Sequence, residues 1–214
     1  MKYNKYIVSF VPGSSGRFVV QILDRILLQK KDLITITEYN SSHADVNNIY
    51  TGHSTEEPHH PKVFETLKFD SPSAKNYPFS NILSTHVYPN FKVINSRFDD
   101  VGIILIRPEQ DDAKEIAFNS WYKNRNIVLD VNILEQKAKR AFLDDIKFFS
   151  NDEYPKNCLV IKYKELYQIE NDKHVMLKKL KKFTDIEEVP DVAINACNQY
   201  IEGRYRLTKQ FNLR

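Results

Sequence analysis

The chain has 214 residues, 42% hydrophobic, 28% charged and 12% aromatic, a composition of folded globular proteins that excludes the disordered and fibrous classes. Its net charge of +3, from 31 Lys+Arg against 28 Asp+Glu, is too balanced for a protein that coats a nucleic-acid duplex but leaves room for a local anion site. The two cysteines, Cys158 and Cys197, have no short spacing, so neither a disulfide framework nor a thiolate zinc site is indicated and a reducing compartment is expected.

Tyr6 to Val11 reads as a buried strand, too short for a secretory h-region or a membrane span, so a cytoplasmic protein with no membrane association is expected. From Arg17 the apolar positions Phe18, Val19, Ile22, Leu23, Ile26 and Leu27 recur at helical spacing to about Lys30. Leu33 to Thr37 is a second strand candidate, Asn40 to Pro61 a long polar loop, and Lys62 to Phe69 a short helix. Within that loop His53, His59 and His60 lie beside Glu56 and Glu57, but without metal-ligand spacing, and no metal is expected. Ser80 to Thr85 forms a third strand that ends at His86. Val101 to Ile106 is the most continuously apolar run, as suits a central strand of a parallel sheet covered on both faces, and Arg107-Pro108 ends it.

Helices follow at about Asp111 to Asn126 and Val131 to Phe149, then a last strand from Cys158 to Tyr163, then helices from about Lys164 to Phe183 and Asp191 to Glu202. In Lys178-Lys179-Leu180-Lys181-Lys182 the lysines read as the wet face of an amphipathic helix with Leu177, Leu180 and Phe183 inward, so no nucleic-acid partner is expected. Strands alternating with helices predict one domain over residues 1–214, a three-layer α/β fold with a central, mostly parallel sheet flanked by helices.

Of only five glycines, Gly13 and Gly16 fall in one loop, Val11-Pro12-Gly13-Ser14-Ser15-Gly16-Arg17-Phe18, between the first strand and first helix. Free amides and the dipole at a helix N-terminus favour an anion, and glycine lets backbone approach phosphate closely. Ser14 and Ser15 add hydroxyl donors and Arg17 a charged fork; the competing reading is a tight turn that admits Gly16 for packing. The spacing is not that of a Walker A loop, since two residues separate the glycines and Arg17-Phe18 follows them. Ligands in parallel α/β sheets lie beyond the carboxyl ends of the strands, where His86 and Arg107 also fall. His86 is either a general base or a loop histidine bonded to a neighbouring carbonyl. Arg107 suits a phosphate or pairs with Asp111 or Asp112, and Ser120 offers a hydroxyl or is an ordinary helix-surface serine.

The ordered set V-P-G-S-S-G-R-F, S-T-H-V-Y-P, I-I-L-I-R-P-E-Q-D and V-I-K-Y-K-E-L resembles the sulfotransferases that use 3′-phosphoadenosine-5′-phosphosulfate (PAPS), over about Tyr6 to Leu166. The resemblance implies a P-loop type of fold and transfer of a sulfonate to a hydroxyl or amine acceptor on a small molecule, glycan or protein, without a metal. It implies that Gly13, Ser14, Ser15, Gly16, Arg17 and Phe18 surround the phosphosulfate, that His86 and Arg17 are catalytic, and that Arg107 and Ser120 hold the 3′-phosphate. Tyr163-Lys164-Glu165-Leu166 is similar to the family's Y-E-D-L. The chain departs from the family in carrying Ser14 where a cation often precedes Ser-Gly, and in placing Ser120 further from Arg107. Glu115, nearer to Arg107, would repel a phosphate; Arg204 or Arg206 would then replace the lost contact. The alternatives are a kinase-like phosphotransferase needing magnesium and a non-catalytic nucleotide-binding module of the same fold.

Overall fold

The computed structural model describes residues 2–28, 82–86, 88–121, 131–144, 146–149 and 153–211. The strand, loop and helix expected at 33–37, 40–61 and 62–69, with the histidines at 53, 59 and 60, lie outside the described residues.

The first apolar run forms β1 (Lys5–Phe10), buried from Tyr6 onward, and leads through the glycine loop into α1 (Gly16–Leu28). Strand β2 (Ile82–Thr85) is followed by α2 (Phe91–Arg97), whose N-cap Asn90 accepts a hydrogen bond from the Val93 N–H. Strand β3 (Val101–Arg107) is buried at every residue but the last. After one 3₁₀ turn at Gln110–Asp112 come α3 (Ala113–Trp121) and α4 (Val131–Asp144). The stripe expected to continue to Phe149 ends in a separate 3₁₀ turn, Ile146–Phe149.

Strand β4 (Cys158–Lys162) precedes a region where the long helix expected from Lys164 does not form. A 3₁₀ turn at Tyr163–Leu166 leads instead to a hairpin, β5 (Ile169–Glu170) and β6 (Lys173–His174), before α5 (Val175–Thr184). The break has a local cause. Asn171 and Asp172 hold φ of 50° and 59°, the two-residue turn whose twist matches a hairpin, and they are residue types that tolerate it. The last helix, α6 (Asp191–Phe211), runs well past the expected end at Glu202.

Four strands make one sheet in the order β2-β1-β3-β4, every pairing parallel. With six helices about it among the described residues, the sheet is the middle of a three-layer α/β fold. Beneath α1 the core joins Val8 and Phe10 of β1 to Val19, Ile22 and Leu23, and extends to Leu180 of α5 and Tyr200 of α6. Ile7, Leu83, Ile94 and Ile103 form a second cluster under α2. Among the described residues no helix is long and apolar enough to cross a membrane.

The strand order places the loop. The chain leaves β1 toward β2 on one side of the sheet and leaves β3 toward β4 on the other, so the crossovers diverge between β1 and β3. At such a switch point a crevice opens beyond the carboxyl ends of the strands.

Candidate functional site

Three adjacent strand ends converge at this crevice. β1 ends in the glycine loop, β2 in His86 and β3 in Arg107, with Ser9 level with Thr85 and Phe10 level with Ile106. His86 and Arg107 therefore flank the loop on opposite sides.

Within the loop, Gly13 has φ of 87° and Ser15 of 63°, both in the left-handed region. A non-glycine residue there costs about 1–3 kcal/mol and persists where its surroundings over-determine it. The glycines answer to packing. A methyl group at Gly13 would meet the Ile116 carbonyl oxygen of α3 at 2.4 Å, and one at Gly16 would meet the Phe10 ring at 1.9 Å. Ser14 is fully buried, and both its N–H and its hydroxyl donate to the Val11 carbonyl, at 2.9 and 2.7 Å. The Ser15 hydroxyl shares a hydrogen bond with that of Tyr167 at 3.1 Å. Both hydroxyls read from the sequence as anion donors thus face protein partners.

Backbone is what the loop offers an anion. The first intrahelical bond of α1 runs from the Val19 N–H to the Ser15 carbonyl, so the N–H groups of Gly16, Arg17 and Phe18 precede the intrahelical ladder. The Arg17 side chain lies outside the described residues. Phe18 is fully buried, stacked on Tyr200 with ring centroids 3.6 Å apart, so its ring belongs to the core and only its backbone faces the crevice side of the loop.

His86 is half-buried, its ring edge-to-face with Phe10 and its Nδ1 3.2 Å from the Phe10 carbonyl oxygen. A carbonyl only accepts, so Nδ1 carries the hydrogen and the neutral ring holds its lone pair on Nε2. The histidine is thus bonded to a neighbouring carbonyl, as the second of the two sequence readings has it, and that bond fixes which ring nitrogen carries the hydrogen.

Arg107 is half-buried and donates to the Tyr154 hydroxyl at 3.4 Å. Tyr154, Phe91, Tyr88 and Phe149 meet edge-to-face in succession beside it. Lys162, level with Arg107 on β4, pairs with Glu109 at 3.1 Å. The Lys162 hydrogen bond, and then the charges of Lys162, Lys164 and Arg107, hold the Glu109 carboxyl below its usual range. Ser120 is exposed and adjoins Gly13, its Cβ 3.0 Å from where a methyl on that glycine would lie.

Glu115 calls for a correction. It is not an open negative charge but is clasped by Arg204, with Nε at 2.6 Å and Nη2 at 2.5 Å, while the Tyr163 hydroxyl donates to it at 3.1 Å. Burial works against the Arg204 charge, but the bonds to Glu115 and the neighbouring Tyr167 raise its pKa overall. Arg204 is thereby committed to Glu115 rather than standing in for a missing phosphate contact. Arg206 is exposed.

Sequence reading missed Asn119, Tyr167 and Tyr200. Burial, and then the neighbouring Tyr167, push the Tyr200 phenol well above its ordinary pKa, against a Ser15 hydrogen bond that lowers it. A mid-helix asparagine, a poor helix former, was the one local signal for Asn119; the tyrosines give none, because their partners are remote in sequence. Burial also raises both thiols, Cys158 to about 12, so neither is a thiolate near neutral pH.

No protein-family model matches the chain, and no curated protein or solved structure matches it.

Proposed function

We propose that the protein is a sulfotransferase-like enzyme that moves a sulfonate from PAPS to a hydroxyl or amine acceptor on a small molecule, glycan or protein. The observation that carries this reading is the convergence of a glycine loop, His86 and Arg107 on adjacent parallel strands at the switch point. The residues fit the donor: backbone N–H groups at the start of α1 suit its 5′-phosphosulfate, and the fixed charge of Arg107 suits its 3′-phosphate. Ser120, beside Gly13, adds a hydroxyl next to the loop. When bound, the donor supplies a sulfonate already joined to a phosphate leaving group. The chain's own part is alignment, charge neutralisation at the loop, and removal of the acceptor proton by His86 Nε2.

Calorimetry with adenosine 3′,5′-bisphosphate tests the reading. Binding independent of magnesium and weakened about tenfold by Arg107→Ala is expected, the scale of one charged hydrogen-bonding group. His86→Ala should keep that affinity and lose sulfonate transfer. Absence of binding at high ligand concentration overturns the proposal, and magnesium-dependent ATP binding would replace it with a kinase-like phosphotransferase. A second reading, a non-catalytic module of this fold, draws on the inward commitment of the Ser14 and Ser15 hydroxyls. It predicts bisphosphate binding without transfer in the wild-type protein.

A further inference from the structure

The two left-handed residues of the loop, Gly13 and Ser15, are the two ends of one continuous chain of contacts. The Gly13 carbonyl accepts from Asn119 Nδ2 at 3.2 Å, and the same Nδ2 lies 3.3 Å from the Tyr163 hydroxyl. Tyr163 donates to Glu115, and Glu115 is held by both donor arms of Arg204. The Arg204 guanidinium lies 3.7 Å from the centre of the Tyr167 ring, and the Tyr167 hydroxyl returns to Ser15 Oγ. Tyr200 stacks parallel to Tyr167 on one side and to Phe18 on the other, bracing the return limb against α1.

The circuit starts and ends on the loop's two residues at positive φ, of which Ser15 lacks the freedom of a glycine and needs its surroundings to hold it there. Its members come from α3, the turn after β4, and α6. Glu115 and Arg204 are nearly buried, with 9% and 11% of their side chains exposed, where the low local dielectric strengthens the hydrogen bonds that hold them. A loop that binds through backbone N–H groups gains affinity when those groups are held in place before the ligand arrives.

We propose that Asn119, Tyr163, Glu115, Arg204 and Tyr167 are positioning residues for the glycine loop, through which the last helix sets how firmly the loop receives an anion. The identity of that anion rests on the sulfonate-donor reading; the circuit itself does not.

Tyr167→Phe removes the hydroxyl that meets Ser15 and keeps the ring under Arg204, and Asn119→Ala releases Gly13. Amide hydrogen exchange read by NMR on the whole chain gives the local answer at Ser14, whose N–H is bonded to Val11. Exchange at Ser14 should quicken about fivefold in either variant, the scale of one hydrogen bond, while amides within β1 and β3 keep their wild-type rates. Affinity for adenosine 3′,5′-bisphosphate should fall by a similar factor. An unchanged Ser14 rate in both variants overturns the proposal, as does faster exchange spread evenly over the sheet, the mark of a merely structural role. If the wild-type protein binds no bisphosphate and Ser14 still loosens in the variants, the donor reading falls and the circuit stands.

Discussion

The glycine loop and the β5–β6 hairpin each turn the chain with two residues at positive φ, but they reach that conformation by different routes. In the hairpin, Asn171 and Asp172 are exposed, and their short polar side chains tolerate the left-handed region without distant help. In the loop, Ser15 has no such tolerance, and its hydroxyl partner Tyr167 lies 152 residues away. The same backbone geometry is local chemistry in one region and a property of the whole fold in the other. Substitutions far from the hairpin should leave it unchanged, whereas the loop should respond to residues on α3 and α6.

The largest expected effect comes from severing the circuit at its ion pair. Glu115→Ala leaves the Arg204 guanidinium without its partner and should cost about 3–5 kcal/mol in urea unfolding, while Glu115→Met with Arg204→Met should recover most of that loss. Recovery of stability without recovery of bisphosphate affinity would separate folding from loop positioning. Next, Gly16→Ala drives a methyl into the Phe10 ring and should lower stability by about 1–3 kcal/mol in thermal unfolding, partly relieved by Phe10→Leu. Smallest, Asp172→Gly gives the hairpin the favoured Asn-Gly pair and should raise stability by a few tenths of a kcal/mol. Its bisphosphate binding should match wild type; a change there would erase the contrast between the two turns.

Periodicity made β1, α1, β3 and β4 legible, β1 and β3 as continuous buried runs, β4 as a short apolar run and α1 by its helical spacing, and the α/β class followed from their alternation. Strand order was not legible, since pairing is set by tertiary packing, but the positions of His86 and Arg107 at strand ends were. Helix α2 was missed although Asn90 is an ordinary capping residue ahead of Phe91, Val93 and Ile94. The hairpin was read as helix because Leu166 and the apolar residues from Met176 onward lie on both sides of it, while its turn pair is Asn-Asp without a glycine. Glu115 was read as a repulsive charge because its partner Arg204 is 89 residues away. The Ser14 and Ser15 hydroxyls were read as facing a ligand because a sequence shows which groups can donate and not where they point.

The ties on Gly13 and Ser15 span 106 and 152 residues of chain. The loop leaves the ribosome ahead of α3, the turn after β4 and α6, yet it takes its final shape only when all three have arrived. The loop's geometry is therefore a late event in the life of each new molecule, and a nascent chain carries the loop's residues long before it carries the loop's shape.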